Sequence, residues 1–66
     1  MAVVKIVELL AESPESWEAA TQMAVKEASK TIKNITSVYV KEFQAIVRDD
    51  NIVNYRVNVK ISFIVE

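Results

Sequence analysis

Chemistry has few places to reside in this chain. Its 66 residues include no cysteine, no histidine and no glycine. The commonest general base and transition-metal ligand is missing, thiolate sites and disulfides are excluded, and no glycine-rich phosphate loop can form. Oxygen ligands and cationic nitrogens remain. Asp49-Asp50-Asn51 collects oxygens of the kind calcium prefers. The same residue types build tight turns, which is their commoner role, and the longer acidic spacing of an EF-hand is lacking. Glu12, Glu15 and Glu18 could make an ion site where copies of the chain meet on an axis. A solvated helix start favoured by the dipole is the commoner explanation. Arg56 and Lys60 share one strand face, where they could clamp an anionic ligand or pair with Glu8 or Glu42 of a neighbouring copy. Ser13, Ser16 and the lysines form no nucleophile–base pair. The expectation is a binding module and not an enzyme.

The elements that position these groups follow from periodicity. Residues 3–10, VVKIVELL, read as a strand with apolar residues on both parities, so both of its faces need a cover. Ser13 then serves as N-cap, Pro14 suits the first helical position, and a helical period runs to about Lys33. Trp17, Ala20, Thr21, Ala24, Ala28, Thr31 and Ile32 share its buried face, with Trp17 as the one large anchor. Asn34 is a candidate C-cap, because asparagine tolerates the left-handed conformation.

The remaining residues read as a hairpin. Residues 52–65 alternate, with Val53, Tyr55, Val57, Val59, Ile61 and Phe63 on one face and Asn54, Arg56, Asn58 and Lys60 on the other. The phase of the preceding strand changes near Lys41-Glu42, which predicts a β-bulge. A three-residue loop Asp49-Asp50-Asn51, with Asn51 left-handed, pairs Val47 with Val53, Ala45 with Tyr55 and Phe43 with Val57. The first strand could lie parallel to the second or antiparallel to the third; the third is the longest and most regular, as a middle strand should be, so the fold expected is α+β: a β-α-β-β chain whose three-stranded antiparallel sheet has the order 1-3-2. The helix would cover the Val53/Tyr55/Phe63 face.

Size makes association the central expectation. A chain this short forms one domain, residues 1–66, and buries only about 60% of the surface its unfolded form exposes. Cross-links are unavailable to it, and 52% of its residues are hydrophobic. Neighbouring copies are the remaining shield. A net charge of −1 gives no reason to expect nucleic acid or an anionic membrane. No apolar run approaches the roughly 20 residues of a membrane span. Lys5 and Glu8 interrupt the first apolar stretch, which does not read as a signal peptide, and a cytoplasmic location is expected.

Several segments together carry a resemblance: the KIVELL strand, the SPESWEAA helix start, the turn at Lys33-Asn34-Ile35 and the closing YRVNVKISF strand. Over nearly its whole length the chain resembles the dodecins, small flavin-binding proteins that assemble as hollow homododecamers. The resemblance implies a sheet wrapped around one helix and flavin pockets (riboflavin or FMN) at subunit two-folds. There a tryptophan on the second strand stacks on the ring and a glutamine on the third hydrogen-bonds to it. By alignment the tryptophan position falls on Ser37 and the glutamine position on Arg56. Serine cannot stack, and arginine cannot accept a bond from a flavin N–H. The usual flavin site is therefore expected to be lost or weakened, with Tyr39, on the same parity as Ser37, a partial substitute. The chain looks closer to a subgroup that lacks the strand-2 tryptophan and is associated with calcium, although no unique calcium ligand set stands out.

Overall fold

The structure, a computed structural model, describes residues 2–65. Its elements run β1 (Val3–Ser13), α1 (Trp17–Ala28), β2 (Ile35–Arg48) and β3 (Asn51–Val65). The strands form one antiparallel sheet in the expected order β1-β3-β2. The longest and most regular strand, β3, takes the centre because it alone has a side chain rhythm that satisfies neighbours on both edges. It pairs with β1 without a break from Val3↔Val65 to Ser13↔Tyr55. Its pairing with β2 is interrupted by register shifts at Ile35/Ser37, Val40/Glu42 and Ile46/Val47. The middle shift is the bulge expected from the phase change near Lys41.

The chain leaves β1 later than its periodicity suggests. Ser13 is the last strand residue, 3% exposed, and its Oγ accepts a bond from Glu15 N at 3.0 Å. Pro14 brings no N–H to a ladder and ends the pairing. The N-cap is Ser16, not Ser13: its Oγ accepts from Ala19 N at 2.9 Å, and Trp17 opens the helix. The helix also ends earlier than Lys33, at Ala28. Beyond the Ser29 cap, Lys30 N→Glu27 O and Thr31 N→Ala28 O, both 3.2 Å, tighten the last turn into i→i−3 bonding. Asn34 is left-handed as expected, at φ 64°, but it acts beyond the helix. It turns the chain into β2, and its carbonyl accepts from Ile64 N at 3.0 Å.

The hairpin loop has two residues, not three. Asp49 (φ 52°) and Asp50 (φ 65°) take the left-handed positions, while Asn51 already pairs with Arg48. This matches a type I′ turn, whose twist suits the flanking strands better than a longer loop. Ala45↔Tyr55 and Phe43↔Val57 hold as expected, but Val47 faces Ile52, and Val53 is the extra residue of a bulge.

Ala20, Ala24 and Ala28 of α1 pack on Val57, Val59 and Ile61 of β3, the only large side chains fully buried among the described residues. The buried centre is therefore Val57 to Ile61, and Val53, beyond the end of β1, stays 40% exposed. The helix lies over β1 and β3 and touches β2 least. The molecule is drawn out to 51 Å, with a radius of gyration of 13.4 Å against about 11 Å for a compact chain of this length. Alanine sets the helix–sheet distance, so Ala24→Leu should overpack the interface. A loss of about 1–3 kcal/mol is expected in urea unfolding, and an unchanged midpoint would contradict the close approach.

Candidate functional site

Ser37, Tyr39 and Arg56 all lie on the sheet face turned away from α1. Ser37 sits opposite Ser62 and the two hydroxyls hydrogen-bond; Tyr39 sits opposite Lys60, 64% exposed. Arg56 lies between Glu12 and Gln44 in register. It is displaced from Ser62 along β3 by roughly 20 Å, at about 3.4 Å per residue. One copy thus brings Ser37 and Tyr39 together and leaves Arg56 apart.

Arg56 is engaged within its own chain. Its Nε and Nη2 donate to Glu12 Oε2 at 2.7 and 2.6 Å, and Asn54 Nδ2 donates to Glu12 Oε1 at 2.6 Å. Within the chain the partner is Glu12. The reason is register: the uninterrupted β1–β3 pairing sets Glu12 directly opposite Arg56. Glu8 instead meets Lys41 Nζ at 3.5 Å across the face. A hydrogen bond from Asn58, aided by the charge of Lys41, holds the Glu8 carboxyl below its usual pKa range.

The oxygen groups fit a cation poorly within one copy. The described residues contain no cluster of three or more carboxylates or other metal ligands. Asn54 Oδ1 and Asn58 Oδ1 are buried and accept from no protein donor, yet the cationic Arg56 lies between them on the same strand face. Glu12 is taken by Arg56, while Glu15 and Glu18 are exposed near the start of the helix. Asp49 and Asp50 serve the turn.

On the opposite side lies a feature that periodicity did not reveal. Because α1 leaves β2 partly uncovered, an open apolar cleft of about 330 Å³ runs between them, lined by Trp17, Val25, Val38, Val40 and Phe43, with Glu18 at its edge. Trp17 is the anchor expected of it. Its ring meets Tyr55 edge-on at 5.0 Å and Phe43 at 5.8 Å, and its Nε1 donates to Gln44 O at 2.9 Å. The cleft's signal in the sequence was the narrowness of the helix's small-residue stripe against a sheet of three strands.

Two outcomes follow from the polar face. A double-mutant cycle on Arg56→Met and Glu12→Gln should show a coupling of about 1 kcal/mol, modest because both side chains are partly exposed; zero coupling would contradict the ion pair. Glu8 has a lowered folded pKa, so its contribution is present above the unfolded value, about 4.3. That contribution is lost as pH falls through the folded value. Glu8→Gln should therefore reduce stability slightly at neutral pH and flatten the acid limb of the stability curve. An acid limb identical to that of the parent protein would contradict this.

Comparison with known proteins agrees with this architecture. A model of the dodecin family matches residues 3–66. The chain is 32% identical to the calcium dodecin of Mycobacterium tuberculosis, over 96% of this chain and 89% of that protein. It is 34% identical to the dodecin of Thermus thermophilus, over 97% and 93%. A Thermus thermophilus crystal structure superposes with a TM-score of 0.94 at 33% identity, covering 100% of this chain and 97% of the other. The Mycobacterium tuberculosis calcium dodecin, described as having a novel calcium-binding site, superposes at 0.85 with 30% identity, covering 97% and 91%. With the sheet order, the single helix and the matched length in agreement, the chain belongs to the dodecin family.

Proposed function

We propose that the chain is a subunit of a hollow homododecameric binding and storage shell. It holds a small ligand or ions where copies meet and turns nothing over. The observation that supports this best is the surface. Val4, Ile6 and Leu10 on the outer face of β1 are 54%, 61% and 66% exposed, and Phe43 and Val47 on the helix side of β2 are each 61% exposed. Large apolar side chains thus lie open on both sides of the sheet, more than a stable monomer displays. No helix among the described residues is long and apolar enough to cross a membrane, and we place the shell in the cytoplasm.

For the ligand, the polar face argues against ordinary flavin binding. Ser37 is bonded to Ser62 and Arg56 to Glu12, so the two positions matching the family's ring contacts are satisfied internally. Tyr39 offers an exposed ring near Ser37. The calcium named for the Mycobacterium tuberculosis relative would here need carboxylates from several copies, with Glu15 and Glu18 among the exposed ones. A shell with no ligand is the second reading, favoured by the same internal satisfaction of Ser37 and Arg56.

Light scattering should give a particle near twelve times 7.5 kDa, and a stable monomer at micromolar concentration would sink the shell. Riboflavin or FMN should keep most of its free fluorescence when the protein is added, and strong quenching would restore the flavin site. Calcium binding to the folded shell alone must raise its stability, by about 2.7 kcal/mol at a hundredfold excess over Kd. An unchanged melting midpoint in calcium and in chelator, with flavin unquenched, would leave the ligand-free shell.

A further inference from the structure

Two features on opposite parts of the molecule are each incomplete. The first is the cleft between α1 and β2, floored by Val38, Val40 and Phe43 and walled by Trp17 and Val25. The second is the end of the β2–β3 hairpin. The pairing of β1 stops at Ser13↔Tyr55, so residues 46–53 continue as a two-stranded arm with no third strand and no helix over them. A bare two-stranded ribbon is marginally stable in water. This one nevertheless exposes Val47 (61%), Ile52 (55%) and Val53 (40%).

The arm cannot fill the cleft of its own chain. Trp17, at the start of α1, stands beside Phe43 and Tyr55, and the cleft runs from there back toward Val38. The arm runs the other way. Val47 lies beyond Phe43 by about 14 Å of strand, and Gln22 lies about 7 Å along the helix in the opposite direction. A continuous ladder of β2–β3 pairs prevents the arm from folding back.

We propose that the apolar arm of one copy, residues 46–53, docks in the α1–β2 cleft of a second copy. The apolar character matches on both sides, and Arg48, the one cation of an arm that also carries Asp49 and Asp50, is the group that can meet the acidic residue of the cleft. Arg48 at the end of the arm and Glu18 at the edge of the cleft are both exposed, and neither has an ion-pair partner among the described residues. Arm and cleft are different surfaces of one subunit, so the contact is either exchanged between two copies about a two-fold or passed head to tail around a closed ring. The proposal rests on the self-assembly put forward above and names the surfaces that carry it.

The absence of cysteine makes the test direct. Val47→Cys and Gln22→Cys are made in separate chains; both positions are exposed, so neither change threatens the fold. The two variants are unfolded, mixed, refolded together and oxidised. The expected result is a covalent dimer containing one chain of each kind on a denaturing gel, with little cross-linking in either variant alone. A mixture that keeps its oligomeric mass but forms no such dimer overturns the arm–cleft contact while leaving the shell standing. Dimers of a single variant in its place overturn it too. A monomeric parent protein removes the shell itself, so the two failures are distinguishable.

Charge reversal supplies a second readout. Arg48→Glu and Glu18→Arg should each raise the protein concentration for half-assembly about tenfold, a change of about 1.4 kcal/mol. The double variant should recover most of the loss. Two losses that merely add would overturn the pairing. An apolar dye that enters the clefts of the intact oligomer, and is displaced by Val25→Glu without loss of mass, would show the clefts open and the proposal wrong.

Discussion

A helix whose fully buried stripe is alanine can lie close to a sheet, but that stripe removes little apolar area from water. That trade governs this chain. Ala20, Ala24 and Ala28 settle on Val57, Val59 and Ile61, and the contact is tight and narrow. At roughly 25 cal/mol per Å² of buried apolar surface, so small a core cannot offset the ordering of the chain by a wide margin. The sheet is wider than the helix, and β2 hangs partly uncovered beside it. The open cleft and the exposed Phe43 on the helix side of β2 are two results of one cause, a helix too slender for the sheet it serves.

The polar strip on the other face follows a different logic. Glu12, Arg56 and Asn54 satisfy one another, as do Glu8 and Lys41 across the strands. Such a strip fixes strand register, because a slip of one residue would carry every charge to the helix side. It leaves the buried Asn54 and Asn58 Oδ1 atoms without a protein donor. Tyr39 is the exposed aromatic ring on that face, with Lys60 opposite.

Most of the architecture was legible because alternation in β3 is clean enough to specify both its neighbours. The sheet order, the bulge near Lys41 and the pairs Ala45↔Tyr55 and Phe43↔Val57 could all be read from the residues. The ends of elements were not. Ser13 and Ser16 are equally good caps by type, and only the length of the strand before them decides between them. Asp49, Asp50 and Asn51 all tolerate the left-handed region, so residue type cannot choose a two-residue turn over a three-residue loop. The candidate site was legible in its members but not in its connections. Ser37, Tyr39 and Arg56 do share a face, yet the Glu12 partner of Arg56 depends on the β1–β3 register, which no turn fixes because a helix intervenes.

The two free edges of the sheet are not alike. Register breaks and an exposed lysine, Lys41, disrupt the outer side of β2, and such irregularities discourage the addition of further strands. β1 pairs smoothly with β3 through its inner edge along its whole length, and its free outer edge is flanked by Val4, Ile6 and Leu10, with Pro14 stopping it only at its end. A newly made chain that has not yet met its neighbours therefore carries one protected border and one sticky one. In the shell proposed above, closure into a finite particle would have to outpace open-ended strand addition at that border.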